Sequence, residues 1–184
     1  MPTWGWIVIG VVAAVVVLLG LAALLRTRRT QNLKQRFGPE YDRAADSAGS
    51  RRAAEAELRA REERHREFEL RDLDPAAVDR YRDEWQRTQA DFVDDPSAAI
   101  TEADLLIQRA MRDRGYPVED FDQRAADLSV DHPDVVENYR SAHSIAVSSS
   151  HGKATTEDLR RAMKRYRSLF VELVETREHA EVAQ

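Results

Sequence analysis

The sequence predicts an all-α protein in three parts: one N-terminal transmembrane helix, a charged helical stalk, and a compact C-terminal bundle of four to five helices. Three observations predict it. Residues 4–25 are a run of 22 without charge; a polar stretch rich in Ala, Arg and Glu follows as far as about residue 71; and from Leu73 onward apolar residues recur at helical spacing behind cap residues. No alternating strand pattern appears. The expected divisions are a membrane helix at 4–25, a basic juxtamembrane segment at 26–38, a stalk at 39–72, a bundle at 73–176 and a flexible tail at 177–184.

At about 1.5 Å per residue the uncharged run reaches ~33 Å, enough for a hydrocarbon core of about 30 Å. Thirteen Val, Ile and Leu residues at 7–25 favour insertion, with nothing ionised to oppose them. A cleavable signal peptide has positive charge before its apolar core, and here the order is reversed. Arg26, Arg28, Arg29, Lys34 and Arg36 all follow the run, so the positive-inside rule places the N-terminus outside and the C-terminal domain in the cytoplasm. Trp4 and Trp6 then sit at the outer interface, and Arg26, Arg28 and Arg29 at the inner one. Gly10 and Ala14 have a small-xxx-small spacing, common by chance, that admits a weak homodimer through the membrane helix.

The whole chain holds 28 Lys+Arg against 33 Asp+Glu, a net charge of -5. Residues 1–36 contain five of the bases and no acid, which leaves 23 bases against 33 acids in the remainder. So acidic a soluble part is a poor partner for phosphate backbones, and no nucleic-acid binding is expected. The absence of cysteine excludes disulfides, thiolate nucleophiles and Cys-based metal sites.

In the stalk, Glu55 with Arg59, Glu57 with Arg61, Glu62 with Arg66 and Glu67 with Arg71 stand at i,i+4, each pair worth about 0.2–0.5 kcal/mol on a helix. Ala54, Leu58, Arg61, His65 and Phe68 follow coiled-coil spacing, but the Arg and His spoil an apolar seam, and a solvated spacer is expected. Residues 46–50, DSAGS, should interrupt its helix.

In the bundle, Asp74-Pro75 opens a helix with Val78, Tyr81, Trp85, Thr88 and Phe92 on one face. Asp95-Pro96 opens another, carrying Ile100, Ala103, Leu106, Ile107, Ala110 and Met111 inward and stopping at Gly115. A short segment around Phe121, Ala125 and Leu128 comes next. A helix from about Asp131-His132-Pro133 places Val135, Val136, Tyr139, Ala142 and Ala146 on one side and ends in SSSHGK. Thr155 and Asp158 form a capping box before Leu159, Met163, Tyr166, Phe170 and Leu173.

Residues 89–143, from QADFVDDP to ENYRSAH, together with TTEDLRRAMKRYRSLF at 155–170, resemble a widespread bacterial family of helical proteins, frequent in high-GC, actinobacterial-type organisms. Many of its members have one N-terminal membrane helix. The resemblance implies the bundle boundary and a bacterial membrane location, and it carries over no activity, ligand or functional residue.

Chemistry is sparse. The histidines never form a metal motif, and no cofactor, metal or catalytic site is expected. Asp131, His132, Tyr139 and His143 share a helical stripe and could line a small polar pocket for a ligand, although Asp131 as a helix cap with two histidines bordering the core is the simpler reading. Gly152-Lys153 lacks the leading glycine and strand of a phosphate loop. Ser148-Ser149-Ser150-His151 lacks a positioned base and oxyanion donors. Asp91, Asp94, Asp95, Glu102 and Asp104 read as caps and first-turn acids. The expected function is a non-enzymatic, membrane-anchored scaffold that binds the bilayer and a protein partner; a membrane-tethered sensor of a small ligand or anion is the alternative.

Overall fold

The computed structural model describes residues 30–175 without interruption, together with residues 17, 18, 20, 21, 24, 27 and 28. Every regular element among the described residues is helical. Two compact units divide the chain, one ending at Leu58 and the other beginning at Arg59.

The first unit has a core of its own. Residues 30–37 are helical, Gly38 turns the chain with a φ of 47°, and α1 (Pro39–Ser47) follows. The predicted interruption then occurs, and α2 begins afterwards (Arg51–His65). Leu33 and Phe37, Tyr41 and Ala44, and Ala54 and Leu58 are buried. Glu55 is buried beside them, accepting hydrogen bonds from Thr30 Oγ1 at 2.8 Å and Tyr41 Oη at 3.1 Å. The described end of the expected juxtamembrane segment and this part of the expected stalk are therefore packed rather than solvated. Its apolar residues come in pairs from successive short helices, so no single helix carries a stripe long enough to read.

The second unit contains the end of α2, an irregular segment, and five further helices: α3 (Pro75–Asp91), α4 (Pro96–Asp113), α5 (Phe121–Asp131), α6 (Pro133–Ser150) and α7 (Thr156–Phe170). Asp74 and Asp95 accept from the amides of Ala77 at 2.7 Å and Ala98 at 2.9 Å, each with proline in the first turn, as the sequence predicts. Asp120 caps α5 in the same way, through the Gln123 amide at 2.9 Å. The capping box of α7 forms reciprocally, and its bonds with Thr155 and Arg161 draw the Asp158 carboxyl down to about 2. Replacing Thr155 with alanine is expected to destabilise the fold by about 0.5–2 kcal/mol, measured by urea denaturation.

The predicted stripes of α3, α4 and α7 meet in one core, with Trp85, Ile100, Leu106, Ile107, Met111, Tyr166 and Phe170 essentially inaccessible. α6 lies along α7, and α4 touches α3, α6 and α7. Beyond Phe170 the helix widens into a π turn (Val171–Glu175), where the buried Arg114 donates from Nη1 to the Leu173 carbonyl at 2.8 Å.

Residues 61–72, expected in the stalk, pack on the bundle with Leu73. Phe68, Leu70 and Leu73 lie against the core, and Arg71 donates from its amide to the Arg114 carbonyl at 3.0 Å. Helix α2 ends at His65, so Glu67 and Arg71 do not share a helical face.

Among the described residues no helix is long and apolar enough to cross a membrane. The predicted membrane helix at 4–25 falls mostly outside the described residues, as do Trp4, Trp6, Gly10, Ala14, Arg26, Arg29 and the tail at 177–184. Arg28 is described, helical and exposed.

Candidate functional site

The four polar residues of the α5–α6 stripe divide into two groups. Asp131 is the last residue of α5 rather than the cap of α6. Its Oδ2 accepts from Tyr116 Oη at 2.7 Å and stands 2.6 Å from His65 Nε2. The N-cap position of α6 belongs to His132, which makes no side-chain capping bond; Pro133 in the first turn removes one amide that would need a partner. His132 instead points its Nδ1 at Glu172 Oε1, 3.2 Å away on the π turn.

Burial pushes the His132 imidazole below its ordinary value, and the opposing pull of Glu172 does not offset it. The unfolded chain therefore binds this proton more readily than the folded one. Stability from this group is complete above about pH 6.5 and is lost as pH falls from there through the lowered folded value. His132→Gln is expected to remove that part of the acid slope, read from urea midpoints between about pH 7 and pH 5.

Tyr139 and His143 form the second group, which meets around Phe121. The His143 ring stacks on Phe121 with centroids 3.7 Å apart and planes at 9°, and Tyr139 leans on the same ring at 5.1 Å. Asp104 supplies the carboxylate: Oδ1 accepts from Tyr166 Oη at 3.0 Å and lies 3.8 Å from His143 Nδ1, while Oδ2 accepts from Gln108 at 2.7 Å. Burial alone would raise the Asp104 pKa, but the nearby His143 ring and the bond from Tyr166 outweigh it and hold the carboxyl below its usual range. Tyr139 and Tyr166 are pushed well above the ordinary phenol value, first by burial and next by the Asp104 charge. At neutral pH the group is an ionised carboxylate among neutral phenols, suited to orienting an imidazole.

Asp104 is thus neither a cap nor a first-turn acid. It sits mid-helix on the inward stripe, four residues after Ile100 and three before Ile107. That spacing is the signal by which the sequence could have shown it. Asp95 is the cap it was expected to be, and Glu102 pairs with Arg109 at 2.8 Å. In the serine loop, Ser150 Oγ donates to the Val147 carbonyl at 2.8 Å and His151 Nδ1 lies 2.7 Å from the same oxygen. Both groups close the C-terminus of α6, and all of Ser150, His151 and Gly152 are exposed. Among the described residues no group of three or more metal-ligating side chains converges. Comparisons with models of protein families, with curated proteins and with solved structures find no match to this chain.

Proposed function

We propose that this chain is a non-enzymatic interaction module of a bacterial inner membrane, anchored by residues 4–25 with its helical bundle in the cytoplasm. The observation that carries the reading is the use made of the polar residues in the bundle. Asp131, His132 and His143 each face a side chain from another element, at His65 and Tyr116, at Glu172 and at Asp104. Such pairs fix helices against one another, the task of a scaffold. The uncharged run, its basic flank and the family resemblance of residues 89–143 support the anchor and its direction.

Val93, Leu105 and Val147 are large apolar residues left 83%, 44% and 45% exposed on the bundle. Photocrosslinking amino acids at these positions in the full chain, in living cells, should each yield a discrete protein adduct. Silence at all three positions would contradict a scaffold role.

A second reading, a membrane-tethered sensor, is favoured by one observation: Tyr139 Oη and His143 Nδ1 are buried without a hydrogen-bond partner. The neighbouring Asp104 charge suits a neutral or cationic hydrogen-bonding ligand better than an anion. The double variant His132→Gln/His143→Gln is expected to keep its fold and its crosslinks under the scaffold reading. Loss of the crosslinks from a folded double variant would favour the sensor.

A further inference from the structure

Two consecutive segments of the second unit are held to the bundle in different ways. Residues 68–73 are anchored by shape: Phe68 meets the edge of Tyr116 at 6.5 Å, Arg71 Nε donates to the Asp113 carbonyl at 2.7 Å, and Gly115 admits the backbone of Glu69. Residues 59–66, the last turns of α2 and the residue after them, read RAREERHR. Their one apolar side chain, Ala60, is exposed.

What holds these turns on α5 is a row of polar side chains. Arg61 Nη1 donates to Ser129 Oγ at 3.2 Å. Arg64 donates from Nε to Asp127 Oδ1 at 3.0 Å, and its Nη2 lies 2.9 Å from the same oxygen as an ion pair. His65 Nε2 stands 2.6 Å from Asp131 Oδ2. Asp127 and Ser129 are fully buried. Gln123 Nε2 also donates to Asp127 Oδ1, at 2.7 Å, and it is neutral, so Arg64 is the cation that compensates this carboxylate. Between the two segments the helix ends at His65 and the chain turns at residues 66–67.

We propose that residues 59–66 are a releasable latch: they lift from α5 by a hinge at Arg66 and Glu67, baring Asp127 and Ser129, while residues 68–73 and α3–α7 stay packed. The physics lies in the Asp127 carboxylate. Latched, it is out of water and depends on Arg64; unlatched, it is rehydrated. A row of side-chain bonds whose one ring contact is His65 against Phe68 and Tyr116, with centroids 5.3 and 6.3 Å away, opens more readily than a packed core. Removing the arginine leaves a buried carboxylate that must either take up a proton or reach water, and at neutral pH opening supplies the water.

The lack of native cysteine makes the test direct. In the full chain in detergent, Ser129→Cys, which gives up the Arg61 bond equally in every variant compared and leaves Arg64 as the variable, reports the latch, and Ala103→Cys, at a fully buried core position of α4, reports unfolding of the bundle. Under native conditions a maleimide should label position 129 at least about tenfold faster than position 103. Adding Arg64→Ala should speed labelling at 129 by about 100-fold and leave 103 unchanged, and Arg64→Lys, which keeps the charge but not both contacts, should give a smaller gain. Equal labelling of 129 and 103, or an Arg64→Ala effect of the same size at both, would overturn the latch.

Discussion

Replacing Trp85 with alanine is expected to destabilise the bundle by about 3–5 kcal/mol, the largest effect of any single truncation proposed here. Trp85 is 1% exposed and stacks on Phe170, itself 1% exposed, with centroids 4.8 Å apart and planes at 22°. The pair joins the middle of α3 to the last residue of α7, so the loss combines the transfer free energy of an indole, the cavity it leaves, and an aromatic contact worth about 0.5–1.5 kcal/mol. The indole Nε1 is buried without a hydrogen-bond partner, which makes phenylalanine a far milder substitution. Urea denaturation followed by far-UV circular dichroism separates the two variants. Equal midpoints for Trp85→Ala and Trp85→Phe would mean that the site collapses around the cavity.

Gly115→Ala should have the next largest effect. Gly115 has a φ of +89°, and a Cβ there would lie 2.4 Å from the Glu69 carbonyl oxygen, a contact with backbone that cannot rotate aside. Backbone strain alone costs about 1–3 kcal/mol at such a position. The chain at residues 68–73 must also move, which disturbs the contact of Phe68 with Tyr116 and the bond from the Arg71 amide to the Arg114 carbonyl. The expected signature is a lower urea midpoint together with faster proteolysis between residues 66 and 74. An unchanged midpoint would mean that the close approach of Glu69 is incidental.

The helices of the bundle were legible because their signals are local. Asp74-Pro75, Asp95-Pro96 and the Thr155–Asp158 box state where helices begin, and the stripes through Trp85, Leu106 and Tyr166 state which faces are buried. The first unit was not legible, because Phe37, Tyr41 and Leu58 belong to three short segments, and only the tertiary fold reveals that they share a core. In α2 the spacing of Ala54, Leu58, Arg61 and His65 marks residues that are buried or partnered, each within its own unit. Arg61 and His65 looked like flaws in a seam because their partners, Ser129 and Asp131, lie more than sixty residues away.

Of the site, the sequence brought Tyr139 and His143 together but not Asp104, which was hidden among many surface carboxylates. His132 faces Glu172, a pairing set by the π turn rather than by any periodicity in the chain.

The claim on which the function rests is that the bundle hangs in the cytoplasm from a membrane helix. Single cysteines at Ser150, exposed at the end of α6, and at Thr3, before the uncharged run, test it against a native background free of thiols. A membrane-impermeant maleimide applied to intact cells should label position 3 at once and position 150 only after lysis, with both in the membrane fraction. Labelling of position 150 in intact cells, or recovery of the chain in the soluble fraction, would contradict the account.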